Sequence, residues 1–357
     1  MTQLTSVCNS IRNLGTLYLG ISLFVNVTGS DDQVQFRNRY YHTNRNQRGS
    51  NTSPLFDDDP HSIIPGVKHD SSKWSPTVVG SGVHNAISEP GIASIIGGSE
   101  VEEGRYPYTV SIRDVYSGDY APHLCGGSLI APDIVLTAGH CMEYNAQYLF
   151  LSLIAIGMHN ISDSSEGELI PIKDIKIHPL YDSAFARNDF AIVVMQRPTS
   201  MGVEFVELNQ HDNYPASGQG SVVMGWGFTE IDKWWNVTET DVLMEVELTP
   251  IDNQECEDIL GYHIVHDDML CVFDGPGKDA CYGDSGGPLV IPGNDATEDV
   301  QIGVVSWGIG CSGDYPGVFS RVSTAYDWIR EQVCKESFDP PASFSCKGKK
   351  GKGKKER

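Results

Sequence analysis

The feature that most constrains this chain is the punctuation of residues 95–334. Short runs rich in Val, Ile and Leu alternate there with clusters of Gly, Pro, Asn and Asp. Tyr108–Ile112, Ser128–Ile130, Ile134–Thr137, Ala191–Met195, Ser221–Met224 and Ile302–Ser306 each read as a strand. β-Branched residues suit a pleated, half-buried backbone, and the turn formers between them supply the reversals. Only Thr324–Cys334 carries a helical pattern, with Tyr326, Ile329 and Val333 on one face. Many short strands and one late helix predict an all-β barrel or sandwich.

The flanks differ from this middle. Arg12 followed by the fourteen-residue apolar run Leu14–Val27 and the small-residue site Val27-Thr28-Gly29 reads as a signal peptide over residues 1–29. The run is shorter than the roughly 18–20 residues that span a bilayer, which favours a cleaved signal over the alternative of an uncleaved anchor. Residues 30–94 are rich in Asn, Ser, Asp, Pro and Gly with neither helical nor strand period, and read as a flexible pro-segment. Residues 335–357 read as a disordered Lys/Gly-rich tail. Of nine cysteines, Cys8 leaves with the signal segment and eight remain, an even number suited to disulfides in an exported protein. No pair has CxxC spacing, so no zinc site is expected. Asn51, Asn160 and Asn236 begin sequons and are candidate glycan acceptors. Together these features predict a secreted protein.

Charge excludes one class of partner. The chain has 25 Lys+Arg against 47 Asp+Glu, a formal charge of −22. Residues 95–334 hold 10 basic and 37 acidic residues, a net of −27, while Lys347–Arg357 hold seven basic residues and one acid, a net of +6. So acidic a body repels a phosphate backbone, so no nucleic-acid partner is expected. The basic tail reads as a solvated segment, with attachment to an anionic surface as the sharper alternative.

Three short strings carry chemistry. In Cys281-Tyr-Gly-Asp-Ser-Gly-Gly-Pro288 the glycines allow a sharp turn that exposes Ser285 and aims the N–H groups of Gly283 and Ser285 at one oxyanion. A serine hydroxyl needs a base to become a nucleophile. His140, in Leu136-Thr-Ala-Gly-His-Cys141, follows a strand and adjoins a cysteine. Asp189, in Asn188-Asp-Phe-Ala-Ile-Val193, stands at the edge of an apolar strand, where a carboxylate is costly without a partner. An Asp against the imidazole fixes its tautomer and stabilises the imidazolium. The chain order His140, Asp189, Ser285 is that of the chymotrypsin-type triad, and it excludes an esterase of the α/β-hydrolase type.

On these motifs residues 95–334 resemble the chymotrypsin/trypsin family of serine proteases. The resemblance implies two six-stranded antiparallel β-barrels, a cleft between them and a C-terminal α-helix. It places Asp279 at the base of the specificity pocket, with Ser306, Trp307 and Gly308 on one wall and Gly308 and Gly317 kept small. An acid at the end of a glycine-walled slot favours Arg or Lys, because a neutral side chain leaves a buried carboxylate unpaired. Ile95-Ile-Gly-Gly98 resembles the N-terminus freed when family zymogens are cut, whose ammonium pairs with Asp284. His123 resembles the residue that holds that Asp beforehand. Ser94 departs from the usual Arg or Lys at this junction, so either another protease cuts there or activation takes another course.

The resemblance also implies three disulfides: Cys125–Cys141, Cys256–Cys271 and Cys281–Cys311. One family bridge is missing at both ends, at Ile291 and near Ser221. Cys334 and Cys346 are left over, and the sequence leaves their connectivity open. Met158–Glu168 resembles the calcium loop of trypsins, with Met158 in place of the first carboxylate; a thioether is a poor ligand for a hard cation. No metal or cofactor is expected, although Glu166 and Glu168 could contribute. The resulting expectation is a serine endopeptidase that cleaves after Arg or Lys and is made as a zymogen. Its partners are protein or peptide substrates, an activating protease and protein inhibitors. The rival is a catalytically silent homologue that acts by binding.

Overall fold

The computed structural model describes residues 95–346, apart from 115–121, 144–151, 164, 229, 232–236, 239 and 312–313. It also describes the backbone of two earlier strands, β1 (Tyr18–Asn26) and β2 (Gln35–Thr43), which pair antiparallel from Tyr18 opposite Thr43. The rest of the expected signal and pro-segments, the Asn51 and Asn236 sequons and the Lys347–Arg357 tail lie outside the described residues.

After the short β3 (Ser99–Glu100), six strands close a barrel. They are β4 (Thr109–Asp114), β5 (His123–Ala131), β6 (Ile134–Thr137), β7 (Ser152–Ile156), β8 (Glu168–Ile177) and β9 (Ala191–Met195), in the order β4-β5-β6-β9-β8-β7. β6 and β9 are buried on both faces, which is why their sequences run apolar without alternation. Ile112, Leu129, Ile134, Leu136, Ile154 and Ile156 fill the interior without solvent exposure. Each such side chain contributes roughly 1.5–3 kcal/mol by leaving water.

The second half contains β10 (Glu207–Leu208), β11 (Ser221–Gly225), β12 (Glu230–Ile231), β13 (Val237–Thr238), β14 (Met244–Leu248), β15 (Pro250–Ile251), β16 (Met269–Val272), β17 (Pro288–Ile291), β18 (Val300–Trp307) and β19 (Gly317–Arg321). The sheet runs β15-β16-β19-β18-β17-β11-β14-β3, with β10 beside β18. Only Thr249 separates β14 from β15, so the path leaves from and, one strand before β3, returns to one bent segment. Leaving out the two-residue β3 and counting that segment once gives six strand positions, as the resemblance implies for the second barrel.

The barrels are joined by polar contacts. Asp299, fully buried, accepts Arg105 Nη1 at 2.6 Å, Arg105 Nη2 at 2.8 Å, Tyr108 Oη at 2.7 Å and Gly293 N at 2.8 Å. Four donors on one carboxylate offset its desolvation. Helix α1 is Gly139–Glu143, α2 is Asn253–Leu260 and α3 is Val322–Glu336. α3 buries Val322, Ala325, Ile329 and Val333, the stripe expected of a helix laid on a sheet. Past α3, Asp133 of the first barrel accepts Ser337 Oγ at 2.6 Å and Phe338 N at 2.9 Å. Phe344 is buried and stacks on Tyr326, and Cys334 pairs with Cys346. The ordered body therefore reaches Cys346 and corrects a tail expected to start at 335. Buried Phe344 and the disulfide fasten a segment whose Pro content reads as loop. Among the described residues no helix is long and apolar enough to cross a membrane.

Candidate active site

The hairpin β5–β6 delivers His140 on the first turn of α1, and the turn before β9 delivers Asp189. The two side chains meet: His140 Nδ1 lies 2.7 Å from Asp189 Oδ2, and the His140 N–H donates to Asp189 Oδ1 at 2.8 Å. Both residues are buried. Asp189 Oδ2 also accepts the Ser306 hydroxyl at 2.6 Å, and the Asp189 carbonyl accepts Ser320 Oγ at 3.1 Å. Burial pushes the Asp189 carboxyl up, but the His140 charge and these hydrogen bonds outweigh it and hold the group below the ordinary range. Burial pulls the His140 imidazole down, but the charge and hydrogen bond of Asp189 outweigh that and hold it above its ordinary value. With Nδ1–H given to the carboxylate, Nε2 is the nitrogen left to accept a proton. Cys125 and Cys141 lie beside His140, yet their sulfurs form one disulfide and offer no thiolate to a metal.

Ser285 belongs to the second barrel but is seated against the first. Its carbonyl accepts the Gly126 N–H at 2.8 Å. A Cβ on the next residue, Gly286 (φ +80°), would stand 2.2 Å from Thr137 Oγ1 and 3.2 Å from Ala138 N. Only glycine permits that approach, and it puts the serine turn on the segment that leads to His140. Gly283 needs glycine for a different reason, its φ of +96°. The N–H groups of Gly283 and Ser285 have no protein acceptor among the described residues, so both are open to a ligand oxygen.

Ser285 shares a narrow cavity of about 50 Å³ with Asp279, Ser306, Trp307, Gly308 and Gly317. Asp279 is buried in this lining, and its N–H donates to the Ile96 carbonyl at 3.1 Å. A Cβ on Gly317 would stand 3.4 Å from Asp279 Oδ1, in ordinary contact, so this glycine faces the acid directly. Cys281–Cys311 joins two lining segments and Cys256–Cys271 ties α2 to β16; with Cys125–Cys141 and Cys334–Cys346 there are four disulfides among the described residues.

The activation residues are only partly brought together. Ile95 is fully buried in a cluster with Val223, Leu270, Leu289 and Phe319. Asp284 is also fully buried, and its carboxylate accepts Cys281 N at 2.8 Å and Gly227 N at 2.9 Å. Burial outweighs those two donors and pushes its carboxyl up to about 6. His123 is not on Asp284, contrary to the expectation. Its Nε2 lies 2.8 Å from the Gly283 carbonyl and its Nδ1 2.7 Å from Ser111 Oγ. The His123 ring thereby braces the Gly283–Asp284 peptide, which lies between the Gly283 and Ser285 N–H groups. Burial pulls its imidazole down to about 4, so it is neutral near pH 7.

In the loop expected to resemble a calcium site, the two glutamates are engaged by donors of the loop and of the neighbouring segment Arg197–Ser200. Met158 is buried, and Glu166 Oε2 accepts the N–H groups of His159 and Asn160, each at 2.9 Å. Glu168 accepts from Arg197, from Thr199 Oγ1 at 2.8 Å and from Ser200 N at 2.9 Å. These donors do not fit a cation, which would need the same oxygens. Sequence reasoning missed the hydroxyl contacts of Ser306 and Ser320 to Asp189. No local pattern marks either serine as facing a residue more than a hundred positions away.

A family model described as Trypsin matches residues 95–329. Trypsin 5G1 of Aedes aegypti is 36% identical over 253 residues, 69% of this chain and 87% of that protein. Trypsin epsilon of Drosophila erecta is 36% identical over 246 residues, 68% of this chain and 88% of that protein. Glucanase inhibitor protein 3 of Phytophthora infestans is 34% identical over 239 residues, 66% of this chain and 86% of that protein.

Proposed function

Because the chain belongs to the trypsin family of serine proteases, we propose that it is a secreted endopeptidase, made as a zymogen, that hydrolyses peptide bonds after Arg or Lys. The observation that carries the reading is the cavity shared by Ser285 and buried Asp279, next to the His140–Asp189 pair. A basic side chain enters the slot and meets the Asp279 carboxylate, which sets the preceding carbonyl before Ser285. Ser285 Oγ attacks while His140 Nε2 takes its proton, and the carbonyl oxygen becomes an oxyanion on the N–H groups of Gly283 and Ser285. His140 returns the proton to the leaving amine, and water repeats the sequence on the acyl-enzyme. Asp189 stays ionised and holds the imidazolium. A raised His140 places the acid limb of kcat/KM above the ordinary histidine value near 6.5.

A second reading is supported by two observations: a glucanase inhibitor protein is among the similar proteins, and Ser94 precedes Ile95. In that reading the same surface binds a partner without turnover. The test replaces Ser94 by a site that an added protease cuts, freeing Ile95. Arg, Lys, Phe and Ala peptide substrates are then assayed beside Ser285→Ala, with fluorophosphonate labelling of Ser285. Turnover after Arg or Lys, lost in the control, is the expected result. Turnover only after Phe or Ala rejects the role of Asp279. A folded protein with neither turnover nor labelling favours the binding reading.

A further inference from the structure

The backbone that presents Asp189 is in an unfavourable conformation. Ala186 has φ +49° and Asn188 φ +48°, left-handed geometry on two residues that carry a Cβ. Asn tolerates that region, whereas Ala gains nothing locally from it, so neighbouring structure must impose it. The neighbours belong to the second barrel. Ala186 is buried among Cys256, Leu260, Met269 and Trp307. Asp268, just before β16, accepts the Asn188 N–H on Oδ2. Its Oδ1 makes no hydrogen bond and lies 3.6 Å from Arg187 Nε. Asp268 is buried, at 7% exposure, and its carbonyl accepts Arg321 N at 2.8 Å. The next residue, Met269, pairs with Ser320, whose hydroxyl reaches the Asp189 carbonyl. Asp268 and Ser320 thus grip consecutive residues, 188 and 189, from adjacent strands.

We propose that Asp268 is a positioning residue for Asp189: through the Asn188 N–H it fixes, from the opposite barrel, the turn that aims the catalytic carboxylate at His140. The proposal rests on the protease reading above. A buried carboxylate with one oxygen lacking a hydrogen bond is costly, and the Asn188 contact gives it a structural reason to be there. The other charged and titratable groups around this contact include Glu143, Tyr181 and Asp182 beside the His140–Asp189 pair, and Arg187, His178, Arg321 and Asp267 near Asp268. They are unchanged in the variants below.

The test uses the full chain activated at Ile95, with turnover expressed per active site counted by fluorophosphonate. Asp268→Ala is expected to lower kcat about 10- to 100-fold with KM for an Arg substrate little changed, because misaiming affects the chemical step more than the pocket. Asp268→Asn keeps an acceptor oxygen for the Asn188 N–H and is expected to restore most of kcat. The His140 titration, followed by NMR, should move down in the Ala variant and stay near the parent in the Asn variant. Parent-like kcat and titration in Asp268→Ala, or equal loss in the Ala and Asn variants, overturns the proposal. If Asp268→Ala does not fold, Asp268→Glu, which displaces the acceptor by one methylene, should give the same pattern in weaker form; no loss there overturns the proposal too. If the parent itself turns nothing over, the protease reading fails, and the His140 titration still decides the role of Asp268.

Discussion

Asp189 and Asp284 are both wholly removed from water, and burial leaves them in opposite states. Asp189 is held below the ordinary carboxylate range, whereas Asp284 is pushed up to about 6. The difference lies in what surrounds each group. Asp189 has an imidazole at 2.7 Å, the Ser306 hydroxyl and a backbone N–H. Asp284 has two backbone N–H groups and no cation among the described residues. At Asp284 two backbone donors do not offset the lost hydration, whereas at Asp189 the imidazole charge and additional hydrogen bonds do. In the proposed mechanism the first aspartate stabilises imidazolium as it forms. The second is the proposed cradle for the Ile95 ammonium, and in the intact chain Ile95 offers only a peptide nitrogen.

The largest expected effect breaks the first half of this contrast. Asp189→Asn keeps the shape but presents an amide to His140, which favours the wrong tautomer. In the cut enzyme kcat should fall about 10⁴-fold, the magnitude associated with this substitution in chymotrypsin-type triads. The acid limb of the residual kcat/KM should move down, since the charge that raises His140 is gone. Steady-state kinetics on an Arg substrate between pH 5 and about 9 reads both. A loss under tenfold with an unmoved limb would mean that the Asp189–His140 contact does not carry the chemistry.

The next effect sharpens the second half. A carboxyl that holds its proton more tightly in the folded chain than in the unfolded one stabilises the fold below its ordinary value near 3.8. That contribution is lost as pH rises through about 6. For Asp284 it amounts to roughly 3 kcal/mol. Urea unfolding of the uncut chain should therefore show a decline between pH 4 and about 8 that is absent in Asp284→Asn. Cutting at Ser94–Ile95 should abolish the decline in the parent, because an ammonium in the cradle reverses the shift. If cutting leaves the decline in place, the Ile95 ammonium does not reach Asp284, and the activation reading fails with it.

These carboxyls also show what was legible in the sequence. The three strings around His140, Asp189 and Ser285 are local, and each places its side chain through the strand or turn in which it lies. The strands read from apolar runs, β4, β5, β6, β9, β11 and β18, are those whose residues are buried on both faces or nearly so. β14, Met-Glu-Val-Glu-Leu, alternates buried and solvent-facing residues and carried a readable period of two behind its two glutamates. β8, Glu168–Ile177, interleaves charges and a proline and gave no such signal. α2 buries only Cys256 and Leu260, too few positions to mark a helix. Pairings across the barrels left no trace in any window. The His123 contact is the instructive case: its partner could be Asp284 or the neighbouring Gly283 carbonyl, and residue spacing does not separate two groups one position apart.

The smallest expected effect adds a partly buried carboxyl to the comparison. Burial pushes Glu168 up, but it is outweighed by the Ser200 N–H, Arg197, Thr199 and the Ser200 hydroxyl, which hold it at about 2. Its donors outnumber those of Asp284, but part of the set is exposed: Arg197 is half open to solvent. Screening by water and salt reduces what such an arrangement is worth, to about 1 kcal/mol or less. The contribution is present above pH 4.5 and is lost as pH falls towards 2. Glu168→Gln should thus cost about 1 kcal/mol near pH 7, less in high salt, measured by urea unfolding. The same loop predicts indifference to calcium. Gly167 leaves room for the buried Met158 sulfur, since a Cβ there would come within 2.5 Å of it, and the carboxylates are already engaged. Millimolar calcium should therefore leave Tm unchanged in both parent and Glu168→Gln. A rise of several degrees in the parent that Glu168→Gln removes would show that the ion displaces these donors.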